Sequence, residues 1–111
     1  MSEITPTRSA DNKRIVWSNI TNGDTAAPIL IASGRHTVNY RGTHDSEVVD
    51  LYHGENSDDM DAIDTDAAPD GLRFSADSVA NLEISGGYVK PYFSTAGSGS
   101  EDVTITIVKI D

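Results

Sequence analysis

Val103-Thr104-Ile105-Thr106-Ile107-Val108-Lys109-Ile110 is the stretch that decides the fold class. Every position except Lys109 holds a β-branched residue, stiff at χ1 and suited to a pleated surface. Strand side chains alternate between two faces, so Val103, Ile105 and Ile107 point one way and Thr104, Thr106 and Val108 the other. One apolar face and one mainly hydroxylic face describe a strand packed on a core from one side only.

The same pattern recurs upstream, punctuated by turn residues. Arg14-Ile15-Val16-Trp17-Ser18 runs toward the turn cluster Asn22-Gly23-Asp24. Pro28-Ile29-Leu30-Ile31-Ala32 is a continuous apolar run ended by Ser33-Gly34, which reads as a buried strand with Pro28 at its start or on an edge. His36–Arg41 alternates up to Gly42. In Glu47–His53, Val49, Leu51 and His53 share one face while Val48, Asp50 and Tyr52 share the other. Leu72–Ser75, Val79–Ile84 and Tyr88–Ser94 follow, and Pro91 places the last of these near an edge or bulge. No segment shows an apolar stripe of helical period.

The expected fold is therefore all-β: a two-sheet antiparallel β-sandwich, jelly-roll-like, of about eight short strands. The 111 residues make one domain, able to bury roughly two-thirds of the surface its unfolded chain exposes. A hydrophobic content of 37% suits a thin, two-layer body. Residues 1–13 are polar, aperiodic and interrupted by Pro6, and read as a flexible N-terminal arm ahead of a sandwich over residues 14–111. Residues 55–71 hold seven acids and no base, a long surface loop with room for a helical turn around Asp59–Ile63.

Composition excludes several functions. No cysteine is present, so disulfides, thiolate metal sites and thiol nucleophiles are out, in keeping with folding in a reducing cytosol or with support from partners. The longest apolar stretch, Ala26–Ala32, falls far short of the ~20 residues of a membrane helix, and Met1–Asn12 lacks the apolar core of a signal peptide. A net charge of −10 argues against nucleic acid as partner. It favours solubility or docking onto a basic patch.

Catalytic constellations are not legible. The serines sit in turns and no Gly-x-Ser-x-Gly elbow occurs. His36, His44 and His53 match no compact zinc spacing, and read as surface or inter-strand residues. Asp58–Asp66 offers oxygen ligands for calcium but departs from the loop pattern that places a glycine mid-run, so it reads as a solvated acidic loop. The glycine pairs near residues 86 and 97 precede no helix that could cradle phosphate. The expectation is a non-enzyme with no metal and no cofactor.

The order of these signals carries a resemblance. Gly23-Asp24-Thr25 precedes the Pro-containing strand, and Gly34–Val38 leads to the corner Gly42-Thr43. Gly71–Phe74 is followed by a Leu-Glu-Ile strand entering Gly86-Gly87-Tyr88-Val89-Lys90-Pro91, and a Gly/Ser turn delivers Val103–Ile107. Over residues 14–111 this layout resembles the small capsid decoration, or staple, proteins of tailed bacteriophages, above all those of short-tailed phages of the epsilon-fifteen kind. The resemblance implies a cementing protein, made in the host cytoplasm, on the outer surface of the virion. It implies binding to the major capsid protein and a homodimer at two-fold positions, with no part for membrane. Composition and expected exposure, rather than any family motif, single out contact residues: Arg8, Lys13 and Arg14 at the N-terminus, Asn22 and Asp24 at a loop tip, and Tyr88, Lys90 and Tyr92 on one strand, with the acidic tip Asn56–Asp66 beside them. The alternative is a carbohydrate- or cell-surface-binding module that stacks sugar on Trp17, Tyr40, Tyr52 or Tyr92.

Overall fold

The computed structural model describes residues 2–21, 23–62, 72–84 and 86–110, and every regular element among them is a strand. They are β1 (Glu3–Ile4), β2 (Thr7–Arg8), β3 (Arg14–Thr21), β4 (Thr25–Ala26), β5 (Ile29–Ile31), β6 (Gly34–Thr43), β7 (Val48–Asn56), β8 (Asp59–Ala62), β9 (Arg73–Phe74), β10 (Ser78–Ile84), β11 (Gly87–Thr95) and β12 (Asp102–Lys109). The first sheet has the order β10-β6-β12-β3-β2, the second β5-β11-β7-β8 with β9 also beside β7. β1 and β4 add a short parallel ribbon.

Of the principal strands, β3, β6, β10 and β12 belong to the first sheet and β5, β7, β9 and β11 to the second, so that the pairs β3–β12, β5–β11 and β6–β10 nest around β7–β9. This is jelly-roll connectivity, two Greek keys folded into a sandwich. The expected fold class is what the structure shows. β12, the strand on which that expectation rests, lies at the centre of the first sheet between β6 and β3. Its Val103, Ile105 and Ile107 are at most 1% exposed, against Val38 and Tyr40 of β6, Trp17 and Ile20 of β3, and Val49, Leu51 and Val89 of the second sheet.

Strict alternation would put Trp17 and Ile20 on opposite faces of β3, yet both are fully buried. A β-bulge resolves this. Trp17 pairs with Ile105 and Ile20 with Val103, so Ser18 and Asn19 together oppose the single residue Thr104. Asn19 adopts φ 54°, and its amide donates to Thr104 Oγ1 at 3.1 Å. The extra residue reverses the parity of the strand and aims both large side chains at the core.

Three sequence expectations change. In the segment expected as a flexible arm, residues 2–13 run along the body: Thr7 and Arg8 pair with Val16 and Ile15, and Ile4 pairs with Ala26 and packs against the core. The exposed side of β3 and an apolar Ile4 give this segment somewhere to bind within its own chain. The apolar run 29–31 is an edge strand rather than a buried one; Ile31 faces inward while Leu30, on the solvent side, is 54% exposed. The helical turn expected near Asp59–Ile63 is instead β8, antiparallel to β7, with Ile63 outside the described residues. Gly54 allows that approach, because a Cβ there would lie 2.2 Å from the Asp59 carbonyl oxygen. Pro91 sits where expected, near an edge and a bulge: it pairs with Leu51 beyond the point where β5 ends, and the register of β11 on β7 shifts between Phe93 and Thr95.

Candidate functional site: the tyrosine face of the second sheet

The two outer faces of the sandwich differ in chemistry. That of the first sheet displays Thr37, Asn39 and Arg41 of β6, Asn81 and Glu83 of β10, and Thr104 and Thr106 of β12, with Val79 of β10 an exposed apolar residue among them. That of the second sheet sets aromatic and apolar side chains among a few charged ones. Pleating sends Val89, Pro91 and Phe93 of β11 inward and Tyr88, Lys90 and Tyr92 outward. Register then fixes their neighbours: Leu30 and Gly54 flank Tyr88, Tyr52 stands beside Lys90, and Asp50 beside Tyr92. The Tyr52 and Tyr92 rings pack with centroids 4.6 Å apart and planes inclined by 32°. Tyr92 is 45% exposed.

An ion pair braces this face. Arg73 of β9 lies opposite Asp50 of β7 and donates from Nε to Oδ1 at 2.8 Å and from Nη2 to Oδ2 at 3.2 Å. The two-pronged geometry fixes the guanidinium plane. A cleft of about 290 Å³ opens at one end, where Lys90, Tyr92 and Phe93 meet the Gly23–Ala26 segment, Ala96 and Glu101.

The eight contact candidates divide. Tyr88, Lys90 and Tyr92 converge on the face just described, together with Leu30 and Tyr52. Lys13 and Arg14 lie elsewhere, on a second cleft with Ser9, Asp11, Val108 and Lys109 at the margin of the first sheet. Arg8 crosses between the sheets and donates to the Leu30 carbonyl, so it closes the sandwich. Asp24 holds its own turn: Oδ2 accepts from the Thr21 amide at 3.0 Å and hydroxyl at 2.9 Å, and Oδ1 from the Ser2 amide at 2.9 Å. The two Thr21 donors hold its pKa below the usual carboxylate value. Asn22 and residues 63–66 of the acidic tip lie outside the described residues, and the earlier part of that tip forms β8.

Of the aromatic residues weighed for sugar stacking, Trp17 and Tyr40 are fully buried, which leaves Tyr52 and Tyr92. The histidines share no centre. His36 lies on the inner face at one end of β6, His44 follows the other end, and His53 bonds the Gly86 carbonyl. Among the described residues no group of His, Cys, Asp or Glu is arranged to hold a metal ion.

A second polar constellation was not legible in the sequence. Glu47, fully buried, accepts from the Tyr40 hydroxyl at 2.6 Å and, through its other oxygen, from the Asp45 amide at 2.7 Å. His44 Nδ1 lies 2.8 Å from Glu47 Oε2, and its Nε2 lies 2.7 Å from Asp77 Oδ1. The only local signal is the His44-x-x-Glu47 spacing, because Asp77 arrives from another corner of the fold.

No family model, curated protein or solved structure matches this chain. The jelly-roll designation thus rests on its own strand order, and its functional reading on its own surfaces.

Proposed function

We propose that this chain is a non-enzymatic capsid decoration protein, which binds the outer surface of a phage head and staples neighbouring major capsid protein subunits. The observation that carries the reading is the outer face of the second sheet, where Leu30, Tyr52, Tyr88, Lys90 and Tyr92 stand together on a paired β-scaffold. Tyrosines on a rigid support are what protein interfaces concentrate at their energetic centres, while Lys90 suits the polar rim around them. A backbone held in a ladder loses little conformational entropy on docking. The jelly roll itself hosts capsid and lectin domains alike, so it is the site, not the fold, that argues for docking. A homodimer at two-fold positions would engage two subunits at once and multiply a modest single-site affinity.

Co-sedimentation with purified heads tests the proposal. The chain should pellet with heads in near-stoichiometric amount. The double variant Leu30→Ala/Tyr92→Ala should bind at least tenfold more weakly, since a truncated anchor at an interface costs on the order of 2 kcal/mol. Leu30 and Tyr92 are about half exposed in the free chain, and Tyr92 packs on Tyr52, so the variant should lose no more than about 2 kcal/mol and stay folded. A parent chain that remains in the supernatant would remove the reading.

A carbohydrate-binding module is the second reading, favoured by the exposed Tyr52–Tyr92 ring pair. A glycan array with and without calcium distinguishes it: binding abolished by Tyr92→Ala supports sugar stacking, and an array without binders eliminates it.

A further inference from the structure

We propose that His44 is a proton-operated clamp, fastening three loops across one rim of the sandwich when both its ring nitrogens are protonated. The loops are residues 44–47 between β6 and β7, residues 75–77 between β9 and β10, and residues 96–101 between β11 and β12. Each imidazole nitrogen faces a carboxylate oxygen, Nδ1 at Glu47 and Nε2 at Asp77. A neutral imidazole has one N–H, which would leave its other nitrogen lone pair directed at a carboxylate lone pair. The imidazolium satisfies both contacts.

The surroundings keep both carboxylates ionised. Glu47 also accepts from the Tyr40 hydroxyl and the Asp45 amide, and Asp77 from the Gly42 amide at 3.2 Å. Burial alone would raise the pKa of Glu47, but the bonds from Tyr40, Asp45 and His44 outweigh it and hold it below the usual value. The His44 bond, first among the causes, does the same for Asp77, with Arg41 a weaker positive neighbour. For His44, burial disfavours the charged ring, yet the bonds to Asp77 and Glu47 and their charges prevail and raise its pKa. Tyr40, stacked on His44 with ring centroids 5.3 Å apart, is itself pushed up by burial and by the negative charges of Glu47, Glu101 and Asp77, so it stays a hydrogen-bond donor.

The third loop is tied in through the residue next to His44. The Asp45 carbonyl accepts from the Ser98 amide at 3.0 Å, and its carboxylate from the Ser100 amide at 2.9 Å. Buried Glu101 accepts from the amides of Gly97 and Gly99 at 3.0 and 3.1 Å, which folds the loop onto that tie. Ala96 and Glu101 also line the cleft with Lys90 and Tyr92. Release of the rim therefore reaches the edge of the docking face. That last consequence rests on the proposed function; the clamp itself does not.

The sign follows from the direction of the shifts. His44 is raised, so its contribution is complete below the ordinary histidine value of ~6.5 and is lost as pH rises through its folded pKa. Glu47 and Asp77 are lowered, so the same bonds fail at the acid end, as pH falls through their folded values.

Nuclear magnetic resonance on the isolated chain tests the clamp. Nitrogen shifts at about pH 6 should show both His44 ring nitrogens protonated, with a titration midpoint above ~6.5. Across that midpoint, the exchange protection of the Gly42, Ser98 and Ser100 amides, corrected for intrinsic base catalysis, should fall at least tenfold while β12 amides hold theirs. His44→Gln should remove this pH dependence and leave the rim amides weakly protected throughout. If that variant does not fold, Asp77→Asn, at an exposed carboxylate, should lower the His44 midpoint instead. A His44 midpoint at or below ~6.5, or rim protection independent of pH in the parent chain, overturns the inference. Neither result depends on whether the chain binds capsids.

Discussion

Trp17→Ala is expected to destabilise the fold by about 4 kcal/mol, the largest loss of any single truncation considered. The ring is fully buried at the centre of β3, and its Nε1 donates to the Ala27 carbonyl at 2.8 Å, so it ties the strand to the crossover that enters the second sheet. Truncation removes the apolar contacts, leaves a cavity that paired strands on both sides cannot collapse, and strands a carbonyl acceptor. The Ser18–Asn19 bulge, which exists to aim Trp17 and Ile20 inward, loses half its purpose. Domains of this size are stable by about 5–15 kcal/mol, so the loss is a large fraction of the total. It should lower the thermal midpoint by roughly 15–25 °C, read by far-ultraviolet circular dichroism. Trp17 is the sole tryptophan, so the parent chain's fluorescence follows the same transition. A loss below about 2 kcal/mol would contradict a core centred on this ring.

Glu47→Ala should cost about 3 kcal/mol at neutral pH, against a much smaller loss for a typical surface carboxylate. Its removal leaves the buried Tyr40 hydroxyl, the Asp45 amide and one nitrogen of His44 without their common acceptor. Breaking a buried, fully bonded charge is expensive because its former partners stay desolvated. Glu47→Gln keeps the shape and an acceptor oxygen but not the charge, and should fall between parent and alanine variant. Because the folded pKa of Glu47 is lowered, the parent gains stability as pH rises through the ordinary glutamate range near ~4.3, and the alanine variant should show a shallower rise. Denaturant titrations between about pH 3 and pH 7 read both effects. Equal acid limbs in the two chains would remove Glu47 from the stability of this rim.

Where one face of a strand is apolar and the other polar, as at Val103–Val108 and Val49–Tyr52, the sequence pattern and the structure agree. Alternation is then dictated by burial alone. The pattern misleads where another effect intervenes. At Ser18–Asn19 an added residue shifts the parity, and nothing local announces it. At Leu30 an apolar residue is left outside because its strand sits at a sheet edge, a fact of topology rather than composition. β8 reads as acidic loop, since its pairing depends on Gly54 giving way to a passing backbone.

The candidate site was legible in the same uneven way. Tyr88, Lys90 and Tyr92 share a strand and a parity, so their grouping follows from spacing. Tyr52 and Leu30 join them only through register with β7 and β5. Glu47 and Glu101 were beyond reach, because a charged residue is expected outside unless its bonding partners are known. Those partners are backbone amides and side chains that meet only in the folded corner.

A particle reconstruction tests the docking account most directly. Purified phage heads incubated with the chain should carry jelly-roll density on their outer surface, with the β5–β11–β7 face and its Tyr88 and Tyr92 against the major capsid protein. Bare heads, or density that turns this face to solvent and seats the threonine-rich face of the first sheet on the capsid, would contradict it.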